Sequence, residues 1–344
     1  NLNAAQNYHS TLNSFSLGPM SHECQYCHAS RFKNEASNCC HNGKVDLQPL
    51  PPYPSLLQHL LEGQDHKSKN FLKHIRNYNS SFAFASMGAM MAPPPGHGPY
   101  CFRIHGQLYH RTGTLHPPPN TPRRYGQIYI LDGPEATQTR LAQPQNEHCH
   151  EGIMDSIHDQ LIAINPYAAA YKHMHEVETE ENNKAITSNC QPPTVTMVIK
   201  KGTDQRRYNL PTHDEVAAVF VGTDGIPPER DLIVYPRDMP LQNISTISPN
   251  VDPMTYPILF PHGERGWIPG IQHSAPHATA KRNSVTLLQF YSFRLAIRQQ
   301  FSPIHKSGKL FQQYIVDAYV KTESERLSYL RHNQSQLRVE HYQG

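Results

Sequence analysis

No apolar run in this sequence approaches the roughly 18–20 residues of a membrane-spanning helix, and no charged-then-apolar leader follows Asn1. The reading is therefore of a chain with no membrane partner. A G-x-x-x-x-G-K-[ST] loop, the pattern that cradles nucleotide phosphates, is absent. Charge of one sign is lacking as well: the net charge is +3, and the 23 His add only conditional charge near neutral pH. Only local basic clusters, not the overall balance, can then argue for nucleic acid. Tryptophan occurs once, as Trp267. Apolar residues are scarce too. They make up 37% with the 18 Tyr counted, against roughly 45–50% on the usual scale, which counts Gly in place of Tyr. Proline is abundant, at 30 of 344 residues. A length that allows two domains, a thin core and many prolines predict compact patches joined by long loops.

Cysteine is unevenly placed. Of seven, four lie within residues 24–40, which favours an intracellular metal cluster over a disulfide framework. Cys24 and Cys27 form a C-x-x-C pair that can supply two ligands to zinc from one turn. The second pair comes from Cys39 or Cys40 with the other Cys, or with His41, His28 or His22. Adjacent cysteines are an awkward fit to a single ion, so the set Cys24, Cys27, Cys39 and Cys40, with His41 as the alternative, stays open at this point. Nothing in the segment suggests the open coordination position of a catalytic zinc, so the role expected is structural.

The expected fold is α+β. Residues 1–20 read as a disordered lead-in, 21–50 as the Cys-rich zinc-knuckle-like module, and 51–178 as a mixed α/β region. Within that region Phe71 to Ala89 starts helical and turns strand-like, Cys101 to Leu115 reads as a hairpin about Gly106, and Arg124 to Leu131 as a strand. Ile153 to His175 reads as two helices broken at Asn165–Pro166. Residues 179–193 read as a linker, and 194–267 as a small α+β domain. There Thr194–Lys200 is a strand, and Thr212 with Glu215 forms a capping box for a helix reaching Val221. Ile233–Tyr235 and Ile244–Ile247 are further strand pieces. Residues 268–283 read as a loop and 284–344 as helical, with a long helix from Lys309 to about Arg338.

Asp252 to Trp267 (DPMTYPILFPHGERGW) is the feature the rest is organised around. Pro257 and Pro261 frame the short apolar core Ile258–Leu259–Phe260, which with Pro253 predicts an ordered, extended elbow that is neither helix nor interior strand. The tail beyond it carries Arg294 and Arg298, four apart on one expected helix face, then Lys321, Arg326, Arg331 and Arg338. These are the candidate contacts to DNA phosphates. His173–Met174–His175 has the His-hydrophobic-His form of a nuclease metal pair. In a helix, however, the two imidazoles lie about 200° apart. His148–Cys149–His150 has less support still. Tyr314 and Tyr319 read as packing residues.

The runs RRYNLPTHDEVAAVFVG, RDLIVYPR, DPMTYPILFPHGERGW and LFQQYIVDAYVKTESERLSYLRHNQSQLR, with CQYCHA, IRNYNSSFAFASMGA, GQLYHRTGTL and GQIYILD before them, resemble Helitron transposases in collinear order. These are rolling-circle transposon proteins with a replication-initiator nuclease and a helicase. The resemblance implies an amino-terminal region ending where the helicase-like domain begins. It also implies DNA as partner, single-stranded or at transposon ends, and the nucleus as location. The family's nuclease metal pair, its tyrosine nucleophiles and its ATP-dependent helicase are implied downstream, so ATP and a catalytic divalent metal belong there and no catalytic residue is carried onto this chain. Two alternatives remain: a stand-alone metal-dependent nickase using His173 and His175, or an inactive transposon remnant.

Overall fold

Several helices begin at a cap or a proline: Asp65, Asn165, Thr286 and Ser302 accept from first-turn N–H groups, and Pro134, Pro166 and Pro303 occupy first turns. The computed structural model describes residues 16–91, 104–200, 216–222, 232–237, 239–274 and 283–334. In chain order these hold strands β1 (His22–Glu23) and β2 (Ser30–Arg31), then helices α1 (Ser55–Glu62), α2 (His66–Lys73) and α3 (Ile75–Phe82). Strands β3 (Ser86–Met91) and β4 (Ile104–Thr112) follow, then α4 (Gly133–Leu141), α5 (Glu151–Ile164) and α6 (Pro166–Ser188). Next come β5 (Val195–Ile199), β6 (Ala217–Val221), β7 (Leu232–Val234) and β8 (Gln242–Ile244). The last are α7 (Val251–Thr255), α8 (Leu287–Arg294), α9 (Pro303–Lys306) and α10 (Lys309–His332). The fold is mixed α and β, as expected.

The chain divides into two units. One joins residues 1–47 to 272–301, and the other joins 48–271 to 302–344. This differs from the expected boundaries, since the segment 284–344 is split at 301 and its first part returns to the Cys-rich module.

In the second unit, two three-stranded antiparallel sheets have the orders β3-β4-β8 and β6-β5-β7. Strand β5 is central and buried along its whole length, which its β-branched run Val195, Thr196, Val198, Ile199 suits. The expected hairpin about Gly106 is instead one continuous strand, β4. Its alternation was a true strand signal, but its partners are β3 and β8. Arg124–Leu131 is not a strand. Tyr125–Ile128 forms a 3₁₀ turn, and Gly126 sits so close beneath the Tyr171 ring that a Cβ there would collide with Tyr171 Cε1. Ala217–Val221, expected to be helix, pairs with β5; Thr212 and Glu215 lie outside the described residues.

Asn165 and Pro166 separate α5 from α6 as the sequence predicts. Asn165 Oδ1 accepts from the N–H groups of Tyr167 and Ala168, and Pro166 occupies the first turn. Helix α6 then runs on through the expected linker to Ser188. Nothing between Tyr167 and Ser188 breaks a helix, and its Ala, Glu and Lys favour one.

Among the described residues the elbow belongs to the longest unbroken buried run, with Val251 to Pro261 buried throughout. It is not purely extended: Val251–Thr255 makes one helical turn, ended at Tyr256. A buried irregular segment needs partners for its backbone polar groups, and side chains from distant elements provide them. Asn79 Nδ2 donates to Thr255 O (2.8 Å), Tyr53 OH to Ile258 O (2.6 Å) and Asn165 Nδ2 to Pro261 O (3.1 Å). Gly263 has φ +71, and a Cβ there would lie 2.6 Å from Pro166 Cγ. The site therefore requires glycine. Trp267 closes the segment, 8% exposed.

A buried charge cluster ties the elbow to α10. Lys321, 1% exposed, places Nζ 2.5 Å from Asp252 Oδ1 and 3.5 Å from Asp317 Oδ2. Tyr314 OH donates to Asp252 (3.0 Å), Tyr256 OH to Asp317 (2.9 Å), and His110 Nε2 of β4 lies 3.0 Å from Asp317 Oδ2. Burial alone would raise the Asp317 pKa, but His110 and Lys321 outweigh it and hold the carboxyl below the usual range. Burial would lower Lys321, yet Asp252 and Asp317 hold its ammonium above its ordinary value.

Both shifts make stability depend on pH. The Asp317 contribution is present above the ordinary carboxylate pKa and lost as pH falls through the depressed one. That of Lys321 is present below the ordinary lysine pKa and lost as pH rises through the raised one. The cluster's own contribution, read as the urea stability lost in Lys321→Met, should thus be level from about pH 4 to about pH 10 and shrink on both sides. Lys321→Met should cost about 3–5 kcal/mol at neutral pH, because two carboxylates stay buried without their cation. A loss under about 1 kcal/mol would refute the pairing.

Candidate metal centre

The first unit is built around sulfur. Strands β1 and β2 form a two-residue antiparallel ladder, and the C-x-x-C turn extends it. Cys24 N–H donates to Ala29 O (2.8 Å) and His28 N–H to Cys24 O (2.9 Å). His28 has φ 58, the left-handed conformation that lets the chain double back after Cys27. The second pair is turned by three consecutive left-handed residues, His41 (φ 50), Asn42 (φ 58) and Gly43 (φ 78). Gly43 N–H points at Cys40 Sγ, 3.2 Å away. A Cβ on Gly43 would lie 2.8 Å from Tyr26 Cδ1, so only glycine lets the two turns close on each other.

The four sulfurs of Cys24, Cys27, Cys39 and Cys40 lie within 4.8 Å of one another. Cys24 and Cys40, fully buried, are 3.6 Å apart at Sγ. A tetrahedral zinc with bonds of about 2.3 Å sets its sulfurs about 3.8 Å apart, so this donor set fits such an ion. The adjacent cysteines, awkward on paper, both face the centre because the left-handed run turns the chain away immediately after Cys40. The alternatives do not join them. His41 lies outside the group, His22 is exposed, and the exposed His28 pairs with Glu23 at 2.5 Å.

Thiol acidity reflects the crowding. Burial raises Cys24, but the N–H groups of Tyr26 and Cys27 and the neighbouring Cys40 and Cys39 outweigh it and bring the thiol to about 6. Burial pushes Cys40 up to about 11, against the pull of Gly43 N–H, and pushes Cys39 up further with help from Cys27. A divalent cation would hold all four as thiolates. Bound there, it would supply folding energy and leave no open coordination position.

Arg298 is part of this support. Helix α8 ends at Arg294, so Arg294 and Arg298 do not share a helix face as expected. Arg298 turns inward, with Nε donating to Cys27 O (3.0 Å) and Nη1 to Phe293 O (2.9 Å), and its guanidinium lies 4.3 Å from the Phe293 ring centroid. Phe293 and Ala296 pack on the cysteine cluster. Arg294 lies half-buried over the Phe290 ring.

The remaining basic candidates belong to the second unit. Lys321 is a correction: it is buried in the charge cluster and cannot reach a phosphate. Arg326 and Arg331 are exposed, Arg326 pairing with Glu323 at 2.7 Å, and Arg338 lies outside the described residues. Tyr314 packs as expected, whereas Tyr319 is 65% exposed. His173 and His175 sit on α6, where His173 is exposed and does not converge with His175. His148, Cys149 and His150 line a cleft with Asn70, Lys73, His74 and Glu147, and burial pushes the Cys149 thiol up to about 11.

Sequence reasoning missed the supporting role of Arg298 and the ionic role of Asp252, Asp317 and His110. For Asp317 and Lys321 a signal existed: opposite charges four residues apart on an otherwise apolar helix face.

Taken together, these features define a mixed α/β protein with a candidate four-cysteine metal centre and a long C-terminal helix locked to a proline-rich elbow. The family model described as "Helitron helicase-like domain at N-terminus" matches residues 290–344. That segment includes Phe293, Ala296 and Arg298 beside the cysteines, and Asp317 and Lys321 of the charge cluster. The match makes this C-terminal segment similar to the helicase-like domain of Helitron proteins. No curated protein matches the chain.

Chelation should separate the two units in hydrogen exchange. Stripping metal from the full chain is expected to abolish amide protection around Cys24–Val45 while β5 stays protected. Unchanged protection at Cys24, Ala29 and Val45 would show that no metal supports this unit.

Proposed function

We propose that this chain is a DNA-binding and scaffolding part of a Helitron transposon protein acting in rolling-circle transposition in the nucleus. Structural zinc folds its four-cysteine unit. The carrying observation is that the family match includes the solvent-facing half of α10. There Arg326 and Arg331 stand exposed among Tyr319, Tyr329, Leu327 and Leu330. Guanidinium groups attract phosphates without reading sequence, and exposed rings give unpaired bases a surface to stack on. Single-stranded DNA, as at a transposon end being unwound, suits that combination better than a closed duplex does. Arg294 and Arg298 are set aside as phosphate contacts, since Arg298 is committed to the cysteine turn. The nickase alternative draws no support from His173, which stands apart from His175.

Fluorescence anisotropy with a labelled single strand, across a salt series, tests this reading. Arg326→Ala with Arg331→Ala should weaken binding and reduce the slope of log K against log salt by about 1.4, near 0.7 for each phosphate left without its cation. No binding even at low salt would sink the proposal, and an unchanged slope in the double variant would move the interface elsewhere.

A further inference from the structure

His116, His175 and Glu178 meet at one point of the second unit, although they come from separate stretches. His116 follows β4 in a segment fixed by two backbone bonds, Leu115 N–H to Tyr235 O (2.8 Å) and His116 N–H to Pro236 O (2.9 Å). His175 and Glu178 are three apart on α6 and therefore share a face. His116 Nε2 lies 2.6 Å from Glu178 Oε2, and His175 Nδ1 lies 3.9 Å from the same oxygen. One ligand atom from each residue falls within 4.8 Å of the other two. The two imidazole rings meet edge to face with centroids 5.7 Å apart.

A simple ion pair accounts for His116 and Glu178 alone. It leaves His175 Nδ1 without a role, because that atom is buried and has no hydrogen-bond partner among the described residues. A buried polar atom in that state, held beside a carboxylate and a second imidazole, calls for a ligand.

We propose that His116 Nε2, His175 Nδ1 and Glu178 Oε2 form a binding site for a divalent transition-metal ion of the zinc class, separate from the four-cysteine centre. Metal–ligand bonds of about 2.0–2.1 Å in tetrahedral array put neighbouring donor atoms about 3.4 Å apart. The His116–Glu178 contact opens by under about 1 Å and the His175–Glu178 contact closes by about half that to reach this spacing, which small side-chain rotations achieve.

The donors select the ion. Two imidazoles suit zinc, cobalt or nickel, whereas magnesium and calcium require oxygen ligands. Arg237 acts on Glu178 and Arg123 on His175, and their positive charge further disfavours an ion held by electrostatics alone. Burial, and after it the charge of His116, hold the His175 pKa below its ordinary value. Three protein ligands leave a fourth position for water. His173, two residues earlier and exposed, takes no part.

The test uses the full chain, equilibrated with zinc and then freed of excess, with bound metal measured by mass spectrometry. Wild type should hold one more ion per chain than either His175→Ala or Glu178→Gln. His175 is half-exposed, so its replacement leaves the fold intact, which circular dichroism verifies. In a cobalt titration the ion missing from His175→Ala should contribute ligand-field absorption without a thiolate charge-transfer band, which separates it from the cysteine centre. Equal metal content in wild type and both variants overturns the proposal, as does a missing ion that carries the thiolate band.

Discussion

Placing Lys321 between Asp252 and Asp317 is the constraint on which the second unit depends. Charges removed from water are costly unless paired and hydrogen-bonded. Here both carboxylates receive tyrosine hydroxyls as well as the ammonium, and His110 adds a contact from β4. One arrangement satisfies these groups: the elbow at Asp252 and Tyr256, the face of α10 carrying Tyr314, Asp317 and Lys321, and the β3-β4-β8 sheet held together. Sliding α10 by one turn would replace Lys321 with a neighbour of the wrong charge and strand two carboxylates in the interior.

The same economy runs through a core poor in aliphatic side chains. Tyrosines fill much of it, and their hydroxyls are bonded inside. Tyr129 donates to Phe82 O, Tyr167 to Asn250 Oδ1, and Tyr171 pairs with Thr112. Buried Arg140 lies over the Phe82 ring, 4.4 Å from its centroid, and donates to Ser81 O. Burial lowers its pKa to about 10, which still leaves it charged at neutral pH. A polar interior of this kind gives directional pairing in place of apolar area, and the proline-rich elbow survives at its centre because asparagine and tyrosine side chains satisfy its carbonyls.

Local chemistry was legible in the sequence where one rule decided the outcome. Asn165–Pro166 set a helix boundary, the C-x-x-C turn marked half of the four-cysteine cluster, and the β-branched run Val195–Ile199 marked a central strand. Partner choice was not legible. Alternation around Gly106 and in Arg124–Leu131 looked the same, yet one became a paired strand and the other a 3₁₀ turn under Tyr171, because packing partners tens of residues away made the choice. Counting cations also misled. Lys321 and Arg298 read as phosphate contacts and are structural, since a basic residue is bound by whatever carboxylate or carbonyl the fold brings to it. The expected linker at 179–193 gives way to helix as far as Ser188 for the opposite reason: its polar residues have high helix propensity.

The central claim, that the elbow and α10 are joined through the buried Asp252–Lys321 pair, is tested most directly by a double-mutant cycle. Stability would be measured by urea denaturation for Asp252→Asn, Lys321→Met and the two combined. Strong coupling is expected, about 1–3 kcal/mol, with the double variant more stable than the sum of single losses allows. Losses that add to within about 0.5 kcal/mol would contradict it.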